Sequence, residues 1–149
     1  MEKAELECRR VEEDKLQMIL DMHHHEFRSK VFDTFREEIF HQQYAYTRKM
    51  ERDLTMKRWS RLAEIGYWNE TLTANSDEGR MRYDALVECM AALDHSLEVK
   101  TGVHYGLFGA SVSRLGSDEQ AKKYVPLIES CEMIGCFGLT ELGHGSNVR

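Results

Sequence analysis

The run Thr140-Glu141-Leu142-Gly143-His144-Gly145-Ser146-Asn147-Val148-Arg149 holds the residue types and spacing in this chain best suited to chemistry. Gly143 and Gly145 have no Cβ, so the backbone there can take left-handed dihedrals and come close to a flat or anionic ligand. Thr140, Ser146 and Asn147 add short hydrogen-bonding arms. The preceding apolar run, Ile134-Gly135-Cys136-Phe137-Gly138-Leu139, is short and bounded by a turn signal, which predicts a buried strand. Such a strand presents its end to a ligand, and the loop after it reads as half of a cofactor site.

The elements that would position this site are helical. Residues 2–22 are charged and rich in helix formers, with Leu6, Leu16, Ile19 and Leu20 as a thin apolar stripe. Over 26–40, Phe27, Val31, Phe32, Phe35 and Ile39 recur at steps of three and four, the spacing of one helical face. A third helix is predicted over 44–65, with Met50, Leu54, Leu62 and Ile65 on one face and Gly66 at its C-terminus. Residues 67–76 read as a loop. The stretch 81–100 carries Leu86, Met90, Leu93 and Leu97 on one stripe and predicts a central buried helix. In the next segment Gly102, Gly106 and Gly109 fall at helical spacing; each weakens a helix by roughly 1 kcal/mol, so something packs close to them, either another helix or a ligand. Ser117-Asp118-Glu119-Gln120 matches a capping box, and Pro126 predicts that the helix starting there ends or kinks near Tyr124.

Composition narrows the function classes. The chain has 149 residues, one proline, a charged fraction of 31% and a formal charge of −6, which fits one mostly helical domain. Its lysines and arginines are interleaved with acids, so nucleic acid is not expected as a partner. Cys8, Cys89, Cys131 and Cys136 form no CxxC pair, and neither a zinc knuckle nor a disulfide framework is expected. No stretch approaches the roughly 20 apolar residues of a membrane span. Helices leading into one terminal strand leave that strand without a hydrogen-bonding partner, so the chain reads as cut short.

Single residues invite sharper readings. His23-His24-His25 are consecutive, and on a helix they diverge by about 100°, so they are read as a polar patch with no metal bound. His104 either lines a ligand channel or is a hydrogen-bonded histidine between helices. Cys136 is read as a small buried apolar residue, and His144 is given no catalytic part.

The C-terminal third resembles the acyl-coenzyme A oxidases, relatives of the acyl-coenzyme A dehydrogenases. The resemblance runs through Ser96-Leu97-Glu98-Val99-Lys100, Val103-His104-Tyr105-Gly106-Leu107-Phe108-Gly109, Leu115-Gly116-Ser117, Lys123-Tyr124-Val125-Pro126 and Gly135 to Arg149. Dehydrogenases typically carry Pro, Ala and Asp where this chain has Leu142, His144 and Asn147, which favours the oxidase branch. Earlier in the chain the likeness rests on helical pattern and on Arg48, Glu51, Arg52 and Arg58.

The resemblance implies an all-α, helical N-terminal domain over 1–133, then over 134–149 the entry strand and flavin-contacting loop of a β-domain. It implies FAD as cofactor, with Phe137, Gly138, Leu139 and Thr140 beside the isoalloxazine ring and Gly145 and Ser146 near the flavin and the pantetheine or pyrophosphate region. It further implies a fatty acyl-coenzyme A substrate, a trans-2-enoyl thioester product with hydrogen peroxide released, a homodimer in the full-length protein, and a peroxisomal location. The family's catalytic glutamate lies in its C-terminal region, so no catalytic residue is expected here and Glu141 is not given that role. The alternative reading is a non-catalytic helical binding module derived from the same family.

Overall fold

A computed structural model of the chain describes residues 13, 15–21, 24–43, 47–72 and 77–145. Helix α1 covers 15–21, the described part of the first expected helix. Leu16, Ile19 and Leu20 are exposed on it, so the anticipated buried stripe does not form among the described residues. Cys8, His23, Tyr44 and the residues from Ser146 onward lie outside the described residues.

Helix α2 spans His25–Thr34 and stops short of the expected end at residue 40. A turn at 35–37 leads into a 3-10 turn, Glu38–Phe40. Arg58 Nε and Nη2 donate to the carbonyls of Ile39 and His41 at 2.8 and 2.9 Å, satisfying acceptors that no helical turn follows to pair, and so tie this segment to the Arg58 helix. Phe35 and Phe40 then pack at 5.2 Å between ring centroids.

Helix α3, Arg48–Ile65, has local start and stop signals. The Thr47 hydroxyl accepts from the Met50 amide, and Gly66 closes the helix in the left-handed region at φ 84°, where glycine carries no Cβ penalty. The buried face is Arg58, Trp59 and Leu62, whereas Met50 and Ile65 of the expected stripe are exposed. The expected loop after Gly66 carries two core aromatics, Tyr67 and Trp68. Tyr67 is tethered through its hydroxyl to Lys30 O and Thr34 Oγ1 of α2.

The single helix expected over 81–100 is two: α4, Asp77–Leu93, and α5, His95–Thr101. Asp94 separates them in an extended conformation, with Oδ1 accepting from Leu97 N at 3.1 Å and Oδ2 paired with Arg58. An N-cap aspartate offers the backbone an alternative to continuing the helix. From α5 the chain runs through a π-helical segment, Gly102–Gly109, into α6, Ala110–Leu115.

Ser117 and Gln120 form the expected capping box, which opens α7, Asp118–Glu129. Pro126 lies inside α7 and does not end it. It is exposed, so the carbonyl of Lys122 that loses its helical donor is on the solvated side, and Val125 and Ile128 stay buried.

Helix α2 packs on α4, α3 on α5, and α7 on the π-helical segment and α6. Between them lies a core of Trp59, Leu62, Trp68, Leu86, Met90, Leu97, Tyr105 and Ile128. Trp68 stacks on Tyr105 at 4.2 Å, and Trp59 meets the His104 ring edge-on at 4.8 Å. Each such buried side chain contributes about 1.5–3 kcal/mol by leaving water, and the paired rings somewhat more. The all-α architecture is as the sequence predicts.

Candidate functional site

The expected buried strand at 134–139 does not form. Residues 134–140 carry no regular secondary structure, and no strand exists among the described residues, because no second described segment offers a ladder to pair with. Cys136, expected to be buried, is exposed for the same reason. Phe137 and Leu139 are 40% and 76% exposed, and a Cβ built on Gly138 would meet nothing within 4 Å. The described amides of 136–140 make no hydrogen bond within the described residues.

Thr140 sits at φ +70°, a costly conformation for a β-branched residue. It turns the chain into a tight reversal in which Glu141 and His144 exchange backbone hydrogen bonds at 3.1 and 3.0 Å. Gly143 and Gly145 also face open space. Phe137, Gly138, Leu139, Thr140 and Gly145 therefore lie together on one open segment, while Ser146 lies outside the described residues.

The root of this segment is firmly held. Met133 N donates to Leu127 O at 2.9 Å, wrapping the end of α7. Gly135 N donates to Nδ1 of His104 at 3.2 Å, and a Cβ at Gly135 would fall 1.8 Å from Phe108 Cδ1. Only glycine lets the backbone cross Phe108 there. The cue was present in the sequence, since a glycine inside an apolar run marks a close backbone approach.

His104 is a buried histidine between helices. Its Nε2 is 2.9 Å from Ile128 O, which can only accept, and Nδ1 receives the Gly135 amide, so the ring is neutral with its proton on Nε2. Burial lowers its pKa below the ordinary value, the Ile128 hydrogen bond pulls the other way, and the Lys100 charge adds to the lowering.

The glycine face is close packing at Gly106 and Gly109 but not at Gly102, where a Cβ would meet only Glu98 Oε1 at 3.8 Å. A Cβ at Gly106 would meet Tyr83 Oη at 2.9 Å, and one at Gly109 would meet Leu72 Cδ1 at 2.7 Å and Ile128 Cγ2 at 3.2 Å. A cavity of about 460 Å³ between α3 and α5, lined by Arg48, Arg52, Met56 and Lys100 among others, shares no residue with 134–145. No group of three or more potential metal ligands clusters among the described residues, and no described helix is long and apolar enough to cross a membrane.

Helices, caps and the open C-terminal segment define a class of domain. Residues 21–132 match the family described as acyl-CoA dehydrogenase, N-terminal domain, and the chain belongs to that family. Among its relatives, a peroxisomal acyl-coenzyme A oxidase 3 of Arabidopsis thaliana is 41% identical over 106 residues, covering 71% of this chain and 16% of the relative. The human peroxisomal acyl-coenzyme A oxidase 3 is 34% identical over 98 residues, 66% of this chain and 13% of the relative. An acyl-coenzyme A oxidase of Caenorhabditis elegans is 31% identical over 112 residues, 74% and 16%. The chain thus spans about a sixth of the length of these relatives. No solved structure matches it.

Proposed function

We propose that this chain is the N-terminal helical part of a peroxisomal, FAD-dependent acyl-coenzyme A oxidase, with residues 1–133 as the helical domain and 134–149 entering a β-domain. The observation that carries the reading is the open segment 136–140, whose amides make no hydrogen bond among the described residues and whose Phe137 and Leu139 are exposed. Such backbone donors beside exposed apolar side chains fit the edge of a flat, polar-rimmed aromatic ring. The kinship with oxidases supplies the identity of that ring.

In this reading the amides of Phe137 to Thr140 and the Thr140 hydroxyl line the flavin edge, and Gly145 and Ser146 approach the flavin or the pantetheine. FAD, when bound, supplies the acceptor for the hydrogen removed from the acyl chain and passes the electrons to oxygen. The chain's own part is to orient: the left-handed turn at Thr140 redirects the backbone at the ring edge, and Gly138 keeps the approach free of a Cβ. The residue that takes the substrate's proton belongs to sequence beyond Arg149, and a dimer of the complete protein completes the site.

The test is to read the coding sequence past Arg149 and assay the encoded protein with a fatty acyl-coenzyme A. Bound yellow flavin, an enoyl thioester and stoichiometric hydrogen peroxide are expected. A colourless protein that still binds a relative of itself would replace the oxidase with a non-catalytic binding module. The 149-residue chain alone is expected to retain little FAD, since the face carrying 136–140 is open.

A further inference from the structure

His104 joins two parts of the molecule with one small ring. Nε2 reaches Ile128 O in the last turn of α7, and Nδ1 receives the amide of Gly135, two residues before Phe137. Two residues of extended chain cover only about 7 Å, so the direction set at Gly135 is carried into Phe137 and Gly138 with little slack. Phe108, also in the π-helical segment, fills the space under Gly135. A π-helical stretch inside an otherwise α-helical run is frequent where side chains must be placed for function.

We propose that His104 is a positioning residue for the flavin-facing edge: its neutral imidazole, clasped between Ile128 and Gly135, sets the direction in which Phe137, Gly138, Leu139 and Thr140 leave the helical body. The anchor stands on the contacts above, and its consequence for flavin rests on the oxidase reading. Protonation of Nδ1 would set a donor against the Gly135 N–H and open the clasp. Around the ring, Trp59 of α3, Tyr105 and Phe108 are aromatic, α7 and Gly135 offer backbone, and Lys100 is the charged group acting on it.

Amide NMR and hydrogen exchange on the 149-residue chain, as wild type, H104F and H104Q, test the anchor. H104F should lose about fivefold to tenfold of the protection at Gly135, the worth of one hydrogen bond, with resonance shifts through 137–140 and around Ile128, and the amides of the first turns of α7 unchanged. H104Q, which keeps a donor and an acceptor, should restore part of that protection. In the wild type, the Gly135 amide resonance should titrate with the same midpoint as the His104 ring nitrogens. If H104F fails to fold, H104Q and the wild-type titration decide. A Gly135 amide indifferent to both substitution and pH, or 137–140 unmoved in H104F, overturns the proposal. The flavoprotein carrying this segment is the second arm: H104F should shift its flavin absorption and reduction potential, and values equal to wild type would also overturn it. Absence of FAD from the wild-type flavoprotein would sink the oxidase reading instead, leaving the Gly135 result to report on the anchor by itself.

Discussion

Replacing Arg58 tests the tertiary logic of the domain most directly. Its guanidinium donates to Ile39 O, His41 O and Asp94 Oδ2, the last at 2.5 Å, and the residue is only 8% exposed. Arg58→Ala would leave two carbonyls and a largely buried carboxylate without their donor. Breaking a buried ion pair from one side costs about 3–5 kcal/mol, whereas an exposed pair is worth about 1 kcal/mol or less. Asp94 keeps its N-cap bond to Leu97 N, so the lower end applies, a loss of about 3 kcal/mol. That is a large share of the roughly 5–15 kcal/mol that holds a domain together. Arg58→Lys retains charge but not the fork, and should recover less than half of the loss. Asp94→Asn keeps an efficient cap and should cost about 1–2 kcal/mol, with a coupling to Arg58 in a double-mutant cycle. Urea unfolding followed by Trp59 and Trp68 fluorescence and by far-ultraviolet circular dichroism reads all of these. A loss below about 1 kcal/mol for Arg58→Ala would place the pair among exposed ones and refute the reasoning.

Other expectations follow from the same contacts. Gly106→Ala gains roughly 1 kcal/mol of helix propensity and meets only the mobile end of Tyr83, so it should be near neutral; Gly109→Ala presses on Leu72, the His104 carbonyl and Ile128 and should be net destabilising by about 1–2 kcal/mol, both read by urea midpoints. Pro126→Ala restores a helical donor for Lys122 O on an exposed face and should raise the melting temperature, by at least about 1 kcal/mol in equivalent stability. Because the folded state lowers the His104 pKa below about 6.5, the unfolded chain binds more protons in that interval. Stability from this group is therefore complete above about pH 6.5 and declines as pH falls towards the folded pKa; a His104→Gln chain should show a flatter stability profile across that window.

What the amino-acid order determined by itself was local. Thr47 and Gly66 bracket α3, and Ser117 with Gln120 starts α7, because caps act through backbone groups within a few residues. The all-α class was likewise legible, since helical spacing of apolar residues and the scarcity of proline act along the chain itself. Other outcomes depended on partners distant in the chain. Asp94 splits an otherwise continuous helical pattern while held by Arg58, thirty-six positions earlier. Tyr67 and Trp68 turn a nominal loop into core because α2 and the Tyr105 ring are there to receive them. Pro126 stays helical because its ring faces water and its neighbours are buried. The run at 134–140 has strand composition yet forms no strand, since a strand is a relation between segments and needs a second edge to bond. Short-range hydrogen bonding can be read from neighbours in sequence, but pairing and burial are set by which surfaces meet once the chain has folded.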